Sequence, residues 1–213
     1  MDNTALLLMV RWLSPSYPTG AFAWSHGLEA AIDDRQVTDA ASLEQWISGV
    51  LAHGAGRNDA ILLQLACRAA PAELKTLATL AEALAPSKER RDEALLQGAA
   101  FATTTRAVKG YDLPDMALPV AVGRAAALAG LPAAQVAGLY LQSLASNLVQ
   151  AALRLMPLGQ TAGQTVLDRL SPLCATLAEQ TAALGTDDLG GCAYAADIAA
   201  MRHEQMRGRV FRS

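Results

Sequence analysis

The sequence predicts an all-α fold, a single-domain bundle of about eight to ten helices with a C-terminal docking tail. Alanine and leucine dominate the 213 residues, and apolar side chains recur at intervals of three and four rather than two. Hydrophobic residues make up 52% of the chain and charged residues only 17%. A chain of this length can bury about 70% of its unfolded surface as one domain. No repeat, low-complexity tract or linker divides it, so residues 1–213 are treated as one domain.

Turn and capping residues divide the apolar pattern into helices. The segment 14–20 contains two prolines and a glycine and predicts a turn. Asp39 and Ser42 are candidate N-caps for one helix, and Ser87 opens a charged one. Further breaks fall at Gly54 and Gly56, Pro71, 112–115, 157–159 and 185–191. The predicted helices are 5–13, 22–34, 43–53, 58–70, 71–86, 87–108, 116–129, 133–156, 161–184 and 193–206. The stretch 136–155 is apolar on most faces, which predicts a helix in the middle of the bundle.

Charge, hydropathy and cysteine usage narrow the function classes. The net charge is −3 with no basic stripe, which argues against nucleic-acid binding. No apolar run approaches the ~20 residues that span a bilayer, and no targeting segment is evident, so we expect a cytoplasmic protein without a membrane partner. The three widely spaced cysteines fit reduced thiols.

Motifs for chemistry are missing from the sequence. None of the three lysines lies in a Gly-Lys-Ser/Thr context, and no Gly-rich dinucleotide turn can be drawn. The three histidines are far apart, and no two cysteines stand close together, so a self-contained metal cage is not expected. The acidic pairs 33–34 and 187–188 are explained by capping or solvation. These motifs therefore predict no catalytic, cofactor-binding or metal-binding residue, but on their own they do not decide whether the protein is an enzyme.

The tail, residues 203–213, reads HEQMRGRVFRS and combines arginines with one of the three phenylalanines of the chain. Termini fray unless something holds them, and aromatic and arginine side chains dominate interface energetics. Two interpretations follow for Phe211: it folds back onto its own domain, or it docks onto a partner.

Two internal segments are also unusual. Residues 14–29 read SPSYPTGAFAWSHGLE, where the small residues Ser25 and Gly27 allow another backbone to approach closely. This stretch is either a well-packed corner or a contact face. Residues 154–164 read RLMPLGQTAGQ, where a helix stops at Pro157 and restarts among polar amides that can satisfy free backbone groups.

These segments together resemble the urease accessory protein F family. Residues 14–29 fit its first signature throughout, residues 154–164 fit a second segment, and residues 201–213 fit the family's end, with Val210 where leucine is usual. Three motifs in order make the resemblance specific, and it spans essentially the whole chain. The exchange of leucine for valine changes the volume of the side chain little.

The resemblance implies an all-α, dimeric protein that performs no catalysis itself. It implies a complex with accessory protein D (called H in some systems) and the GTPase accessory protein G, which together deliver nickel to apo-urease, whose lysine must also be carbamylated. Nickel would be handled only transiently, and the tail 207–213 would become ordered against protein D. The residues expected to contact partners are Pro18, Gly20, Phe22, Ser25, Gly27, Glu29, His203, Glu204, Arg209, Val210, Phe211, Arg212 and Ser213.

Two other functions stay open at this point. One is an all-α enzyme with a site between helices near His26, Glu29 and Arg154. The other is a chaperone that binds nickel directly through His26, His203 or Cys192, with a dimer interface as one place for the site.

Overall fold

The computed structural model describes residues 2–213, which form α-helices and short 3-10 turns and, in this range, no strand. The all-α prediction is confirmed. The helices are α1 Asn3–Trp12, α2 Leu28–Asp33, α3 Ala40–His53, α4 Ala55–Arg68, α5 Leu74–Ala83, α6 Lys88–Lys109, α7 Leu118–Leu128, α8 Ala133–Leu155, α9 Gln160–Gln180 and α10 Tyr194–His203. The 3-10 turns are Ala21–Ala23, Thr181–Ala183 and Thr186–Asp188.

Several helix ends follow from local side-chain chemistry. Asp39 caps α3, where its carboxylate accepts from the Ser42 amide at 2.8 Å and the Ser42 hydroxyl accepts in return from the Asp39 amide at 3.0 Å. The Ser87 hydroxyl caps α6 by accepting from the Arg90 amide at 3.2 Å. These bonds satisfy donors that a helix leaves free in its first turn.

The predicted helix 22–34 is wrong in its first half. The chain instead makes the 3-10 turn Ala21–Ala23, and α2 starts only at Leu28. His26 and Gly27 have φ angles of 60° and 77° in the left-handed region, which an α-helix cannot contain. Gly27 also lies against α10, because an added Cβ would be 2.6 Å from the Ala200 nitrogen. Helix α2 is short because its start is fitted to α10.

The buried apolar residues form two clusters that share α8. One cluster joins α1, α4, α5, α6 and α7 to the start of α8 through Val136 and Tyr140. The other joins α2, α3, α9 and α10 to the rest of α8 through Leu141 and Leu148. The prediction that 136–155 lies in the middle of the bundle is confirmed. Close packing of α4 on α7 needs Gly123, where a Cβ would lie 2.2 Å from the Leu63 oxygen.

None of the helices in residues 2–213 is sufficiently long and apolar to cross a membrane.

Candidate functional site

The three unusual sequence segments meet at one place on the surface of the bundle. Arg154, at the end of α8, donates from Nη1 to the Phe22 carbonyl oxygen at 2.9 Å. The same guanidinium lies over the Phe211 ring, 4.4 Å from its centroid. Residues from the first turn, the central helix and the tail are therefore in direct contact.

The tail runs back along the turn that precedes α2 and bonds to its backbone. The Ser25 amide donates to the Ser213 carbonyl oxygen at 2.8 Å, and the Arg212 amide donates to the Ala23 carbonyl oxygen at 2.9 Å. The His26 amide donates to the Ser213 hydroxyl at 3.1 Å. The close approach that small residues predicted in this turn is present, and the approaching backbone belongs to the same chain.

The carboxylate of Glu29, on α2, is the centre of this docking arrangement. It accepts from the amides of Val210 at 2.7 Å and Phe211 at 2.8 Å, and it lies 3.2 Å from His203 Nε2. Burial acts to raise the pKa of this carboxyl, but the two backbone donors and His203 together outweigh it and lower the pKa. The tail therefore stabilises the ionised form of Glu29, and that charge in turn holds the tail.

His203 connects this centre to α6. Its ring is fully buried, and its Nδ1 lies 2.7 Å from the carboxylate of Glu89 while Nε2 faces Glu29. A neutral imidazole has only one N–H and can donate to only one of the two carboxylates. A ring with hydrogen on both nitrogens donates to both. Glu89 also forms an ion pair with Arg209 of the tail. The first turn of α6 and the root of the tail are thus joined by charged groups.

A second cluster of buried polar side chains lies beneath the last residue of the tail. The Ser213 hydroxyl donates to Glu93 at 2.9 Å, and Glu93 pairs with Arg90 one turn earlier on α6. The pKa of His26, beside them, is lowered well below its ordinary value by burial and by the positive charge of Arg90. His26 is therefore neutral at pH 7.

A cavity of about 70 Å³ adjoins this group. Its lining includes His26, Arg90 and Glu93, together with Asp59, whose carboxylate accepts from the Tyr140 hydroxyl at 2.7 Å. Burial raises the pKa of Asp59 to about 6, more strongly than the Tyr140 bond lowers it. The cavity combines carboxylate, guanidinium and imidazole groups in the interior of the bundle.

The residues expected to contact partners fall into two sets. Six are buried and hold the tail or its docking turn in place: Ser25, Gly27, Glu29, His203, Phe211 and Ser213. Seven are at least partly accessible: Pro18, Gly20, Phe22, Glu204, Arg209, Val210 and Arg212. The side chains of Phe22 and Val210 are 76% and 59% exposed, whereas Phe211 is only 4% exposed. Of the two interpretations of Phe211, the structure has the one in which the ring packs on its own domain.

Sequence reasoning missed the contribution of α6. Glu89, Glu93 and Gln97 follow one another at intervals of four, and this spacing places them on one helical face. The Gln97 amide donates to Glu93 at 3.2 Å, so two of the three side chains are bonded to each other. The spacing of these three polar residues along one helical face could have indicated from the sequence that α6 contributes to the site.

The residues named for the two open alternatives are not assembled into one site. Among the residues that the structure describes, no group of three His, Cys, Asp or Glu side chains could hold a metal ion. Cys192 is exposed and its thiol bonds to Asp197, while both nitrogens of His203 face carboxylates. His26 lines the cavity, but neither Glu29 nor Arg154 does.

This geometry defines a class of all-α protein. In this class the C-terminal segment docks on the protein's own helices through residues from three sequence motifs. The model of the UreF family matches residues 37–171. The urease accessory protein UreF of Cereibacter sphaeroides is 54% identical over 211 residues, covering 99% of this chain and all of that protein. Proteins of the same name from Roseobacter denitrificans and Paracoccus denitrificans are 45% and 46% identical, over 100% and 99% of this chain and 96% and 97% of their own lengths.

The chain belongs to the UreF family of urease accessory proteins. The family model ends before the tail, but the relatives are matched over nearly their whole length and so include it.

Proposed function

We propose that this protein is a non-catalytic scaffold for urease maturation in the cytoplasm. It assembles with accessory proteins D and G, and the assembly couples GTP hydrolysis to nickel insertion into apo-urease. The observation that carries the proposal is the docked tail, in which Val210 and Arg212 stay exposed, next to a turn whose Phe22 is also exposed. Exposed aromatic, apolar and arginine side chains are typical of protein interfaces.

The sequence and the cysteines support the roles proposed for this chain and for its partners. None of its lysines lies in a phosphate-binding loop, so GTP hydrolysis resides in the partner. Nickel is passed on within the complex and is not stored by this chain. The free thiols of Cys67, Cys174 and Cys192 agree with a reducing compartment.

We propose that the protein is a homodimer and that the second copy covers the face formed by α1, α8 and α9. Leu6, Leu7 and Val10 project from α1 as exposed apolar side chains, and Leu7 is 68% exposed. Beside them lies a groove of about 540 Å³ with the small residues Gly138 and Ala175 in its lining. A ridge and a groove on one face suit an interface in which each copy presents the same surface to the other. Light scattering should report a dimer for the parent chain and a monomer for Leu7→Glu.

The assembly is tested by size-exclusion chromatography with light scattering in the presence of proteins D and G. The intact chain should give a stoichiometric complex, and deletion of residues 203–213 should abolish it. Because His203 is buried, a second variant, Val210→Ala with Arg212→Ala, removes two exposed side chains of the tail, of which Arg212 also lies over the Trp24 ring, 4.7 Å from its centroid. Its matched control, Val108→Ala with Arg11→Ala, changes exposed residues of the same types away from the tail.

Arg209→Ala should also prevent assembly and leave the circular dichroism of the helices unchanged. Loss of folding in this variant, or a complex that survives the double substitution at 210 and 212, would refute the tail as the assembly contact. The absence of any complex with the intact chain would refute the scaffold.

A further inference from the structure

The connection between α9 and α10, residues 181–193, runs over the surface of the bundle with little apolar burial. Of these residues, all within the described part of the chain, only Thr181 is buried. Leu189 and Ala193 pack against the two core clusters while staying partly accessible. A surface segment with so few buried apolar contacts opens readily unless polar groups hold it.

Two arginines of α4 hold the turns of this connection. Arg57 and Arg68 lie about three turns apart along the helix, so their side chains share one face. Arg57 Nη1 donates to the Asp188 carbonyl oxygen at 2.6 Å, and Arg68 Nη1 donates to the Ala182 carbonyl oxygen at 2.7 Å. The other terminal nitrogen of Arg68 donates to the Leu184 carbonyl oxygen. Hydrogen bonds from charged donors are stronger than neutral ones, so both turns are fixed to α4.

The start of the connection is held by Gln64, a buried amide on the same face of α4. Gln64 Nε2 donates to the Thr181 hydroxyl at 2.7 Å and to the Ala178 carbonyl oxygen at 3.0 Å. The Thr181 hydroxyl in turn donates to the Leu177 carbonyl oxygen at 2.7 Å. These bonds reach carbonyl groups of the last turn of α9, which a helix end leaves free.

The end of the connection is held by Asn58, whose side chain is also buried. Its Oδ1 accepts from the consecutive amides of Gly190 and Gly191 at 3.2 and 3.1 Å, and its Nδ2 donates to the Gly191 carbonyl oxygen at 2.9 Å. Gly191 also lies against the end of α3, because a Cβ there would be 2.7 Å from the His53 carbonyl oxygen. One amide side chain therefore fixes three backbone groups just before α10 starts at Tyr194.

We propose that α4 holds residues 181–191 as a fixed strap, which sets the point from which α10 leaves the bundle. None of the bonds described above involves the tail, so the strap stays in place whether or not the tail is ordered. The part of the chain that a partner can order then begins after Gly191. The consequence for assembly rests on the scaffold function proposed above. A partner that engages α10 restricts less of the chain when the origin of that helix is already fixed, and this lowers the entropic cost of binding.

Hydrogen exchange of the free full-length chain, followed by NMR, tests the strap directly. The Gly190 and Gly191 amides should be protected in the parent chain although both residues are accessible. Asn58→Leu removes their acceptor and should make both amides exchange at least roughly tenfold faster. The matched control is Asn147→Leu, the same change in the lining of the cavity, which should leave both amides protected.

A second variant keeps the test decisive if Asn58→Leu does not fold. Arg57→Ala with Arg68→Ala changes only side chains that reach the surface. The Leu184 and Leu189 amides, which close the two turns by donating to carbonyl oxygens at 3.2 Å, should exchange at least roughly tenfold faster in this variant.

The matched control for the double variant is Arg91→Ala with Arg169→Ala, which removes two surface ion pairs away from the strap. It should leave the exchange of the strap amides unchanged. In all these proteins the Leu148 amide, in the core on α8, should exchange as in the parent chain. Equal acceleration at Leu148 and in the strap would mean that the whole domain is destabilised, and would overturn a local role for α4.

A change in the tail separates the strap from the tail. Phe211→Ala removes the buried ring of the tail and leaves every bond between α4 and the strap in place. The Gly190 and Gly191 amides should stay protected in this variant. Loss of their protection would show that the tail holds the connection and would overturn the assignment to α4.

The affinity of the same proteins for protein D, measured by titration calorimetry, completes the test. Release of the strap should weaken binding by roughly fivefold or more, with neither effect in the two control variants. Protection that persists in both strap variants overturns the strap. Lost protection with unchanged affinity overturns its part in assembly. A parent chain that does not bind protein D contradicts the scaffold function, whereas exchange in the free chain still decides whether α4 holds the strap.

Discussion

The guanidinium of Arg154 lies 4.4 Å from the centre of the Phe211 ring, although 57 positions separate the two residues in the sequence. The same arginine reaches the Phe22 carbonyl oxygen, so one side chain at the end of α8 secures both the first turn and the tail. This contact gives a structural role to Arg154, the one charged residue of α8.

Replacement of Arg154 by alanine should loosen the tail. The variant loses a cation–π contact and a hydrogen bond at a partly solvated position, which together are worth about 1–2 kcal/mol. For a chain of this size the melting temperature should fall by about 2–8 °C. Differential scanning calorimetry measures the effect, and Arg169→Ala, which removes an exposed ion pair on α9, should change the melting temperature much less. Equal shifts in the two variants would contradict a special role for Arg154.

Acid should release the tail through Glu29. The pKa of this carboxyl is lowered in the folded chain, so its contribution to stability is fully present above its ordinary value of 4.5 and is lost as the pH falls through the folded value. Urea unfolding from about pH 7 to about pH 3 should show this loss in the parent chain. Glu29→Gln should be less stable at pH 7 and should lack this component. A constant difference between the two proteins across the range would exclude it.

Asp59 should give the opposite dependence on pH. Its pKa is raised from 3.8 to about 6 by burial, so the folded chain binds more protons than the unfolded chain between these values, and stability falls as the pH rises through them. Asp59→Asn keeps an acceptor for Tyr140 and removes the charge. The variant should be more stable than the parent above pH 6, by about 1–3 kcal/mol, and the advantage should vanish near pH 4. Chemical denaturation at both pH values measures the difference.

Two glycines with the same backbone conformation should respond very differently to alanine. Gly20 and Gly27 have φ angles of 74° and 77°, but a Cβ at Gly20 meets nothing within 4 Å, whereas one at Gly27 would lie 2.6 Å from the Ala200 nitrogen. Gly20→Ala should cost only the left-handed backbone penalty, about 1–2 kcal/mol. Gly27→Ala adds a clash with α10 and should destabilise by about 3 kcal/mol or more. Similar unfolding free energies for the two variants would show that α2 moves freely against α10.

Local chemistry predicted the helices better than it predicted the site. The caps at Asp39 and Ser87 and the central position of α8 depend on neighbouring residues or on one periodic pattern, and the sequence displays both. The break before α2 depends on Ala200 of α10, which lies far along the chain from Gly27. A single-sequence pattern cannot carry that information, so the helix was extended too far.

The site required still longer-range information. The motifs that carry the family resemblance identified Glu29, His203 and the tail as unusual, but only the fold shows that they contact one another. The role of Glu89 depends on the position of α6 relative to α10, and α6 belongs to no motif. The assignment of these residues to partner contact stays a prediction, and the buried ones have a structural task that accounts for their chemistry.

Helix α8 also determines how far apart two surfaces of the protein stand. Gly138 lines the apolar groove and Arg154 contacts the tail, and both belong to one uninterrupted helix. At a rise of ~1.5 Å per residue, about 24 Å of rigid rod separates them. In a dimer joined across the grooves, two tails would be held at a fixed spacing by two such rods. A partner that is itself a dimer would then bind both tails at once. Its avidity would depend on the length of α8 as well as on the residues of the tail.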